Sequence, residues 1–312
     1  MRLSSAVCMM AAASVPFRPP GADRVADPEA QWAFARMKQR ALGVPGVAAD
    51  TATSFYAASS DEADEQPRVL FLHGGDSTCL EWRSVLKRLG SSPDFACDCI
   101  AVDWWTGGWT ARAPITEACN AGAQPWDCIR AHLRAFWEAE CGGRPVHLVG
   151  TSMGGAVALD FASTHPEAVD KLVLVDSGGE SYAAPPPLIG RLLAPVCPVV
   201  LRLLAWALPR FGGEAGYLAS LHRNEPGWQD AYVAYLGSGG YARRVGRERI
   251  RAVPHETLVL WGANDPVLDP ADAASFARDL PRCAGVRTIA GAGHAPHMDA
   301  PDEVAAALTE FF

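Results

Sequence analysis

The centre of the chain reads Val146-His147-Leu148-Val149-Gly150-Thr151-Ser152-Met153-Gly154-Gly155. An apolar run of strand length (146–149) leads into a Gly-x-Ser-x-Gly pattern, and a segment of helical periodicity (153–164) follows. A sharp turn from strand to helix holds such a serine in a strained backbone conformation at the start of the helix, where free N–H groups and the helix dipole favour an anion. We therefore predict that Ser152 is a nucleophile. The alternative is a serine that only caps the helix.

On both sides of this turn, short apolar runs alternate with segments of helical periodicity. Continuous apolar strands separated by helices are typical of a parallel sheet that is covered on both faces. The fold class is therefore α/β, with a mostly parallel sheet flanked by helices. The predicted strands are 69–72, 99–102, 146–149, 172–175, 257–261 and 286–290, with an earlier edge strand at 51–58. The predicted helices are 29–42, 80–89, 126–140, 153–164, 271–280 and 301–311.

Ligands of such sheets bind beyond the carboxyl ends of the strands, so the polar residues at those ends are the candidates for chemistry. A serine hydroxyl needs a base, and the base needs a carboxylate that orients it. His294 lies directly after the last predicted strand, and Asp265 lies just past the strand before it. We predict that Ser152, Asp265 and His294 form a catalytic triad. Asp176, directly after an earlier strand, is the alternative acid, and His297 is the alternative base.

The loop after the first strong strand reads His73-Gly74-Gly75-Asp76. Acyl transfer builds negative charge on a carbonyl oxygen, and backbone N–H donors must already point at it. One donor is expected at the residue after the nucleophile, Met153, and the other at Gly75 or Asp76. These three residues are the predicted oxyanion hole. His73 is interpreted as a residue that braces the loop rather than as a second base.

These motifs resemble those of the α/β-hydrolase superfamily, over roughly residues 69–312. The segments HGGDSTCLEWR (73–83), WGAND (261–265) and GHAPH (293–297) look like those of plant and cyanobacterial hydrolases with plastid-type members. The resemblance implies ester or related acyl hydrolysis without a metal ion or an organic cofactor. Relatives that cleave epoxides or carbon–halogen bonds need Asp at the nucleophile position, so Ser152 speaks against both activities.

The stretch between the strand that ends at Val175 and the next predicted strand carries no strand signal and is rich in Pro, Leu, Gly and Trp. A structureless loop of that length is uncommon in a compact domain. We therefore predict a helical lid inserted after Val175. The predicted domains are a targeting leader (1–22), a hydrolase core (23–177 and 251–312) and this helical cap (178–250).

Four large apolar residues are candidate substrate contacts. Leu192 and Trp206 lie in the most apolar part of the cap and would line an apolar acyl or isoprenoid pocket. The alternatives are that this face packs on the core, or that it touches a membrane surface. Trp104 and Trp105 lie in an unusually aromatic segment, for which substrate contact and packing against the lid are both open.

Composition limits the partners. The 312 residues carry 27 Lys and Arg against 35 Asp and Glu, for a net charge of −8, and 49% are hydrophobic. This composition excludes a disordered chain, and an acidic balance without a basic run argues against nucleic-acid binding. No apolar stretch is long enough to predict a membrane-spanning helix, although peripheral contact stays open. The nine cysteines are scattered, which favours buried thiols over a metal site.

The leader (1–22) contains Arg2 and Arg18, several Ser and Ala residues and no acid. This bias is typical of an organelle transit peptide, with a signal peptide cleaved near Ala13 as the alternative. A plastid location is therefore expected, and secretion or a cytoplasmic location are the alternatives. The sequence leaves the oligomeric state open.

The expected function is that of a serine hydrolase that cleaves a small-molecule carboxylic ester of a moderately apolar acid through an acyl-enzyme on Ser152. Three alternatives remain. Two are enzymes of the same fold, a carbon–carbon bond hydrolase and an acyltransferase. The third is a non-catalytic protein that binds a small ligand under the lid.

Overall fold

The computed structural model describes residues 13–59, 66–105, 107–179, 213–237 and 245–312, together with residues 199, 200, 203, 206, 207, 210 and 211. Its strands are β1 (Val15–Pro16), β2 (Met37–Val44), β3 (Ala48–Ala57), β4 (Arg68–Leu72), β5 (Asp98–Val102), β6 (Val146–Thr151), β7 (Val169–Val175), β8 (Glu256–Gly262) and β9 (Cys283–Ile289). Within this part of the chain the nine strands form one sheet in the order β1-β2-β3-β5-β4-β6-β7-β8-β9.

The sheet is antiparallel at one end and parallel over the rest. β1, β2, β3 and β5 pair antiparallel with their neighbours in that order, whereas all pairs from β5 through β4, β6, β7 and β8 to β9 are parallel. β4 and β6 are buried along almost their whole length. Burial on both faces explains why these strands appear in the sequence as continuous apolar runs. The six predicted core strands and the mostly parallel sheet are confirmed.

Helices cover both faces of the sheet. The described helices are α1 (Pro28–Phe34), α2 (Arg83–Leu89), α3 (Ala113–Asn120), α4 (Pro125–Glu140), α5 (Met153–Thr164), α6 (Gly213–Ser220), α7 (Trp228–Gly237), α8 (Arg247–Arg251), α9 (Asp272–Asp279), α10 (Pro296–Asp299) and α11 (Pro301–Phe311). α1, α2 and α11 belong to one hydrophobic cluster of the sheet, and α4, α5 and α9 belong to the other. Because helices cover both faces of the sheet, the polar residues of a site are expected in the loops at the carboxyl ends of the parallel strands.

The predicted helix 29–42 is wrong in its second half. The chain is helical only in α1 and then forms β2, which pairs with β3. Met37 and Leu42 are buried in this strand, so tertiary packing overrides a local pattern that also suits a helix. The predicted strand 51–58 is confirmed as β3, but it lies between β2 and β5 rather than at an edge.

The described part of the predicted cap (178–250) is mostly helical. It contains α6, a 3-10 turn at Leu221–Asn224, α7 and α8. Residues 180–198, including the candidate pocket residue Leu192, lie outside the described residues. The cap boundaries stay a prediction.

The predicted leader (1–22) overlaps the described residues. Val15–Pro16 pair with β2, and Ala22 is buried. The end of the leader therefore stays a prediction. None of the helices in the described ranges combines the length and the apolar character that crossing a membrane requires.

Candidate active site

Ser152 lies in the tight turn between β6 and α5. Its φ of 50° and ψ of −119° are strained for a residue that has a side chain. The backbone N–H of Ser152 donates to the Val175 carbonyl at 3.0 Å, and its own carbonyl accepts from Gly178 N at 2.8 Å. A Cβ on Gly154 would overlap the His73 carbonyl oxygen, so only glycine allows the turn to pass the loop after β4. The geometry is that of the sharp turn expected from the sequence.

Three side chains form one chain of hydrogen bonds. His294 Nε2 lies 3.0 Å from Ser152 Oγ, and His294 Nδ1 lies 2.8 Å from Asp265 Oδ2. The other oxygen of Asp265 accepts from the backbone N–H groups of Val267, at 2.7 Å, and Leu268, at 3.0 Å. The buried Asp265 carboxylate is thus held through both oxygens. The three residues of the predicted triad lie together.

Asp176, the alternative acid, lies directly after β7 with φ 40° and is fully buried. Its Oδ1 accepts from Gly262 N at 2.8 Å. Burial raises the pKa of Asp176 to about 7 against the effect of that hydrogen bond, and the negative charges of Asp265 and Asp299 raise it further. Since the hydrogen bond from His294 goes to Asp265, the structure favours Asp265 as the acid that orients the imidazole.

The same residues offer potential metal ligands. One ligand atom each from Asp176, Asp265 and His294 lie within 4.8 Å of one another. However, His294 Nδ1 and Asp265 Oδ2 are hydrogen-bonded to each other, and a metal ion between them would break that bond. Metal ligands must also be deprotonated, whereas the raised pKa of Asp176 favours its neutral form below neutral pH. These three side chains are therefore better suited to hydrogen bonding than to holding a metal ion.

His297, the alternative base, is buried away from this chain of hydrogen bonds. Its Nε2 lies 3.5 Å from Glu81 Oε1, and its ring centroid lies 4.3 Å from that of Trp82. His294 contacts Ser152 and His297 contacts Glu81, so the structure separates the roles of the two histidines.

Glu81 anchors the loop after β4 from the side of the core. Its Oε1 accepts from Gly74 N at 2.8 Å, and its Oε2 accepts from Ser77 Oγ. Burial alone would raise the pKa of Glu81, but contacts with His297 and with His73 and Ser77 hold it below its ordinary value. The loop lies beside the nucleophile, because a Cβ built on Gly74 would be 3.6 Å from the Cβ of Ser152. Gly75 and Asp76 follow directly in this loop.

Asp76 binds the cap. Its φ of 49° lies in the left-handed region. Oδ1 of Asp76 lies 3.1 Å from His222 Nε2 and accepts from Trp228 Nε1 at 3.0 Å, while Oδ2 accepts from Arg223 Nη2 at 2.8 Å. Burial works against ionisation of this carboxyl, but His222, Arg223 and Trp228 together hold the pKa of Asp76 below its usual value. The aspartate is therefore a charged group tied to three cap side chains.

Met153 also touches the cap. It begins α5 directly after Ser152 and is buried. Tyr235 Oη of α7 lies 3.8 Å from Met153 Sδ. Both sides of the predicted oxyanion hole, Met153 and Asp76, thus contact residues of one cap helix.

Comparison with known proteins places this chain in a family. A family model described as "Alpha/beta hydrolase family" matches residues 69–307. The chain belongs to the alpha/beta hydrolase family. The alpha/beta hydrolase domain-containing protein VTE7 of Arabidopsis thaliana is 31% identical to this hydrolase over 266 residues, which cover 80% of the chain and 74% of VTE7. Human monoacylglycerol lipase ABHD6 is 27% identical over 275 residues, covering 79% of the chain and 75% of the lipase.

Solved structures share the fold of this alpha/beta hydrolase. The serine hydrolase CarC, described as involved in carbazole degradation, matches with a TM-score of 0.66 and 24% identity, over 88% of this chain and 97% of CarC. A meta-cleavage product hydrolase from Pseudomonas fluorescens matches with a TM-score of 0.64 and 20% identity, over 84% of this chain and 94% of that enzyme. At these identities the likeness concerns the fold alone.

The four candidate substrate contacts differ in position. The Trp104 and Trp105 side chains are fully buried. The Trp104 ring stacks on His73, and its Nε1 donates to the His73 carbonyl at 2.8 Å. These contacts favour packing over substrate contact for Trp104. Trp206 is 50% exposed and Leu192 lies outside the described residues, so their assignment to a pocket stays a prediction.

Sequence reasoning in this hydrolase missed the residues that bind the loop after β4. Glu81 lies inside a segment that carries the family resemblance, so its position could have drawn attention. His222, Arg223 and Trp228 lie 146, 147 and 152 residues from Asp76, and no motif surrounds them. Nothing in the sequence pattern points to these cap residues.

Proposed function

We propose that this alpha/beta hydrolase cleaves carboxylic esters through an acyl-enzyme on Ser152. The observation that carries the proposal is the unbroken path of hydrogen bonds from Ser152 Oγ through His294 to Asp265. An activated serine requires this arrangement of nucleophile, base and orienting carboxylate. The proposed reaction uses neither a metal ion nor an organic cofactor.

In the proposed mechanism, His294 Nε2 takes the hydroxyl proton while Ser152 Oγ attacks the ester carbonyl carbon. Asp265 stabilises the imidazolium that forms, and the N–H groups of Met153 and of Gly75 or Asp76 bind the oxyanion. The tetrahedral intermediate expels the alcohol, which takes the proton from His294. A water molecule then gives a proton to His294 and attacks the acyl carbon. Ser152 recovers that proton as the carboxylic acid leaves.

A moderately apolar acyl substrate is the class that we favour. Similarity to monoacylglycerol lipase ABHD6 supports an ester with a fatty acyl chain, and the apolar composition of the cap is consistent with it. Carbon–carbon bond hydrolysis is the second candidate. It is favoured by 31% identity over 132 residues, 42% of this chain, to a 2-hydroxy-6-oxo-6-phenylhexa-2,4-dienoate hydrolase from Comamonas testosteroni.

Labelling with a fluorophosphonate tests the nucleophile, with Ser152→Ala as the matched control. We expect the wild type to be labelled and the variant not, together with a loss of turnover of about 10⁴-fold or more in the variant. Rates on p-nitrophenyl esters of increasing chain length would then define the acyl preference. Turnover of a vinylogous diketone without ester turnover would favour carbon–carbon cleavage, and transfer to added alcohols that outruns hydrolysis would reveal an acyltransferase. A folded wild type that is neither labelled nor active would favour a ligand-binding protein.

The proposed location is a plastid, with residues 1–22 as the targeting leader. The composition of this segment and the similarity to a plant protein, VTE7, support the proposal. Import of the full chain into isolated chloroplasts, with shortening of the N-terminus, is the expected result. Import by a chain that lacks residues 1–12 would contradict the proposed role of the leader.

A further inference from the structure

The cap contacts two of the three residues of the predicted oxyanion hole, Asp76 and Met153. Trp228, the first residue of α7, donates its indole N–H to Asp76, and Tyr235 of the same helix touches Met153. The two aromatic residues are seven positions apart, which is about two helical turns, so they lie on one face of α7. A single rigid element of the cap thus bridges the two chain segments expected to bind the oxyanion.

The contact between the cap and Asp76 is built as a charged site. The Asp76 side chain is 12% exposed, and the His222 side chain is fully buried. A carboxylate shielded from water needs several donors, and one of them here is the guanidinium of Arg223. Loss of one partner from such a buried network leaves the others unsatisfied. These contacts with His222, Arg223 and Trp228 therefore fix the position of the Asp76 side chain.

The backbone of the same residue has an uncommon conformation. Asp76 has a positive φ of 49°, in the left-handed region that residues with a side chain adopt much less often than glycine. Glu81 binds Gly74 N–H and the Ser77 hydroxyl, and His222 contacts the Asp76 carboxylate. Gly75 and Asp76 therefore lie in a four-residue segment (74–77) that is bound at both ends by Glu81 and at Asp76 by the cap.

We propose that Asp76 is a positioning residue, through which the 3-10 turn Leu221–Asn224 and α7 fix the oxyanion donors of the loop after β4. The inference rests on the proposed esterase function. It follows that the cap contributes to the chemical step as well as covering the site. Interactions realised in the transition state change kcat, whereas a cap that only admits or retains substrate changes KM.

Two substitutions test the contact, and a third is the matched control. Asp76→Asn removes the charge that Arg223 binds, and Trp228→Phe removes one donor but keeps an aromatic ring. Tyr217→Phe also removes one hydrogen bond between the cap and another part of the chain, to the Gly21 carbonyl, but it does not involve Asp76. The full chain of each variant is assayed for kcat and KM on p-nitrophenyl butyrate. Inhibition by a trifluoromethyl ketone is measured in parallel, because its adduct with Ser152 carries an oxyanion.

Loss of one oxyanion donor costs about 10²- to 10³-fold in kcat, so a displaced donor should cost less. We expect kcat to fall about 10- to 100-fold in Asp76→Asn and about 3- to 10-fold in Trp228→Phe, with KM within about twofold of the wild-type value. The inhibition constant of the ketone should rise by the same factors. Tyr217→Phe should change neither quantity. In the double variant Asp76→Asn/Trp228→Phe, the losses should be smaller than the product of the single losses, because both act on one loop.

The proposal is overturned if folded Trp228→Phe and Asp76→Asn keep the wild-type kcat, or if their losses appear in KM alone. Trp228→Phe decides the question alone should Asp76→Asn fail to fold. If these variants keep a normal kcat while Ser152→Ala abolishes activity, the positioning role is refuted and the proposed esterase function is supported. A wild type without ester turnover would overturn both.

Discussion

Replacing Asp265 by Asn should lower kcat for ester hydrolysis by about 10⁴-fold, with little change in KM. One oxygen of the Asp265 carboxylate accepts from His294 Nδ1 at 2.8 Å, and the other accepts from the backbone N–H groups of Val267 and Leu268. An Asn side chain has one acceptor oxygen, and the two backbone N–H groups will hold it. The amide NH₂ group then faces His294 Nδ1, which must accept instead of donating.

The consequence is the wrong tautomer of His294. With its proton on Nε2, the nitrogen that lies 3.0 Å from Ser152 Oγ carries a hydrogen and cannot accept the hydroxyl proton. The equivalent change in a serine protease triad leaves the geometry intact and costs a similar factor. A loss of this size corresponds to about 5 kcal/mol of transition-state stabilisation.

Asp176→Asn is the matched control, because it removes a neighbouring buried carboxyl of the same size. A pKa of about 7 leaves most of Asp176 neutral at pH 6, and an Asn oxygen can still accept from Gly262 N–H. Neither charge nor hydrogen bond changes there, so kcat at pH 6 should fall less than about threefold. Initial rates on p-nitrophenyl butyrate are compared for variants with wild-type urea midpoints. An equal or larger loss in Asp176→Asn than in Asp265→Asn would refute this assignment of the acid.

Three further outcomes are expected. The contribution of Asp176 to the free energy of unfolding should fall as the pH rises from 5 to 8, because the folded state keeps a proton up to about pH 7 that the unfolded state releases near pH 3.8. Urea unfolding should therefore show a free energy of unfolding that declines by about 3 kcal/mol less in Asp176→Asn than in the wild type over this range. Gly154→Ala should lower the free energy of unfolding by about 3 kcal/mol or more, because the new Cβ would overlap backbone carbonyl oxygens. The control is Gly246→Ala, which has open space around it and a φ of −63°, and it should change the free energy of unfolding in urea by less than about 1 kcal/mol. Trp104→Phe should cost about 1–3 kcal/mol through the lost bond to the His73 carbonyl and leave the ester chain-length preference unchanged; a changed preference would favour substrate contact.

The nucleophile turn and the predicted triad could be read from the sequence because they follow from local rules. Gly150 and Gly154 flank Ser152, and only small residues let a strand and a helix meet so closely. Apolar strands that are buried on both faces mark the sheet, and its topology brings the residues after parallel strands to one edge. Asp265 and His294 both follow such strands, so no long-range information was needed to pair them.

The supports of the site could not be read from the sequence because they depend on distant packing. β2 suits either a helix or a strand locally, and only its pairing with β3 decides for the strand. His222, Arg223 and Trp228 reach Asp76 only through the tertiary structure, because 146 to 152 residues separate them from it along the chain. A single sequence carries no period or spacing that links an insertion to the loop that it covers.

Three acids at the site show what the structure adds. Asp76, Asp176 and Asp265 each lie in a loop that follows a strand, so sequence position alone does not separate their roles. Their donors do separate them. Asp265 is bound by His294 and two backbone N–H groups, and Asp76 by three cap side chains. For Asp176 the described residues provide one backbone N–H, which leaves a buried carboxyl that holds its proton to about pH 7.

The same hydrogen-bond donors predict whether Asp176 could replace Asp265 as the acid that orients His294. Asp176 could orient the imidazole only if it accepted the hydrogen bond of His294 Nδ1, and Asp265 takes that donor in the wild type. In Asp265→Asn the amide NH₂ favours the tautomer without a proton on Nδ1, and an ionised Asp176 is the group that could draw that proton back to Nδ1. One carboxyl oxygen of Asp176 lies within 4.8 Å of a ring nitrogen of His294, and Asp176 can ionise above about pH 7. Residual activity of Asp265→Asn that rises through pH 7 and disappears in Asp265→Asn/Asp176→Asn would mean that Asp176 takes over. Residual activity that is the same in the single and double variants would mean that the oxyanion hole and substrate binding supply it without any orienting acid.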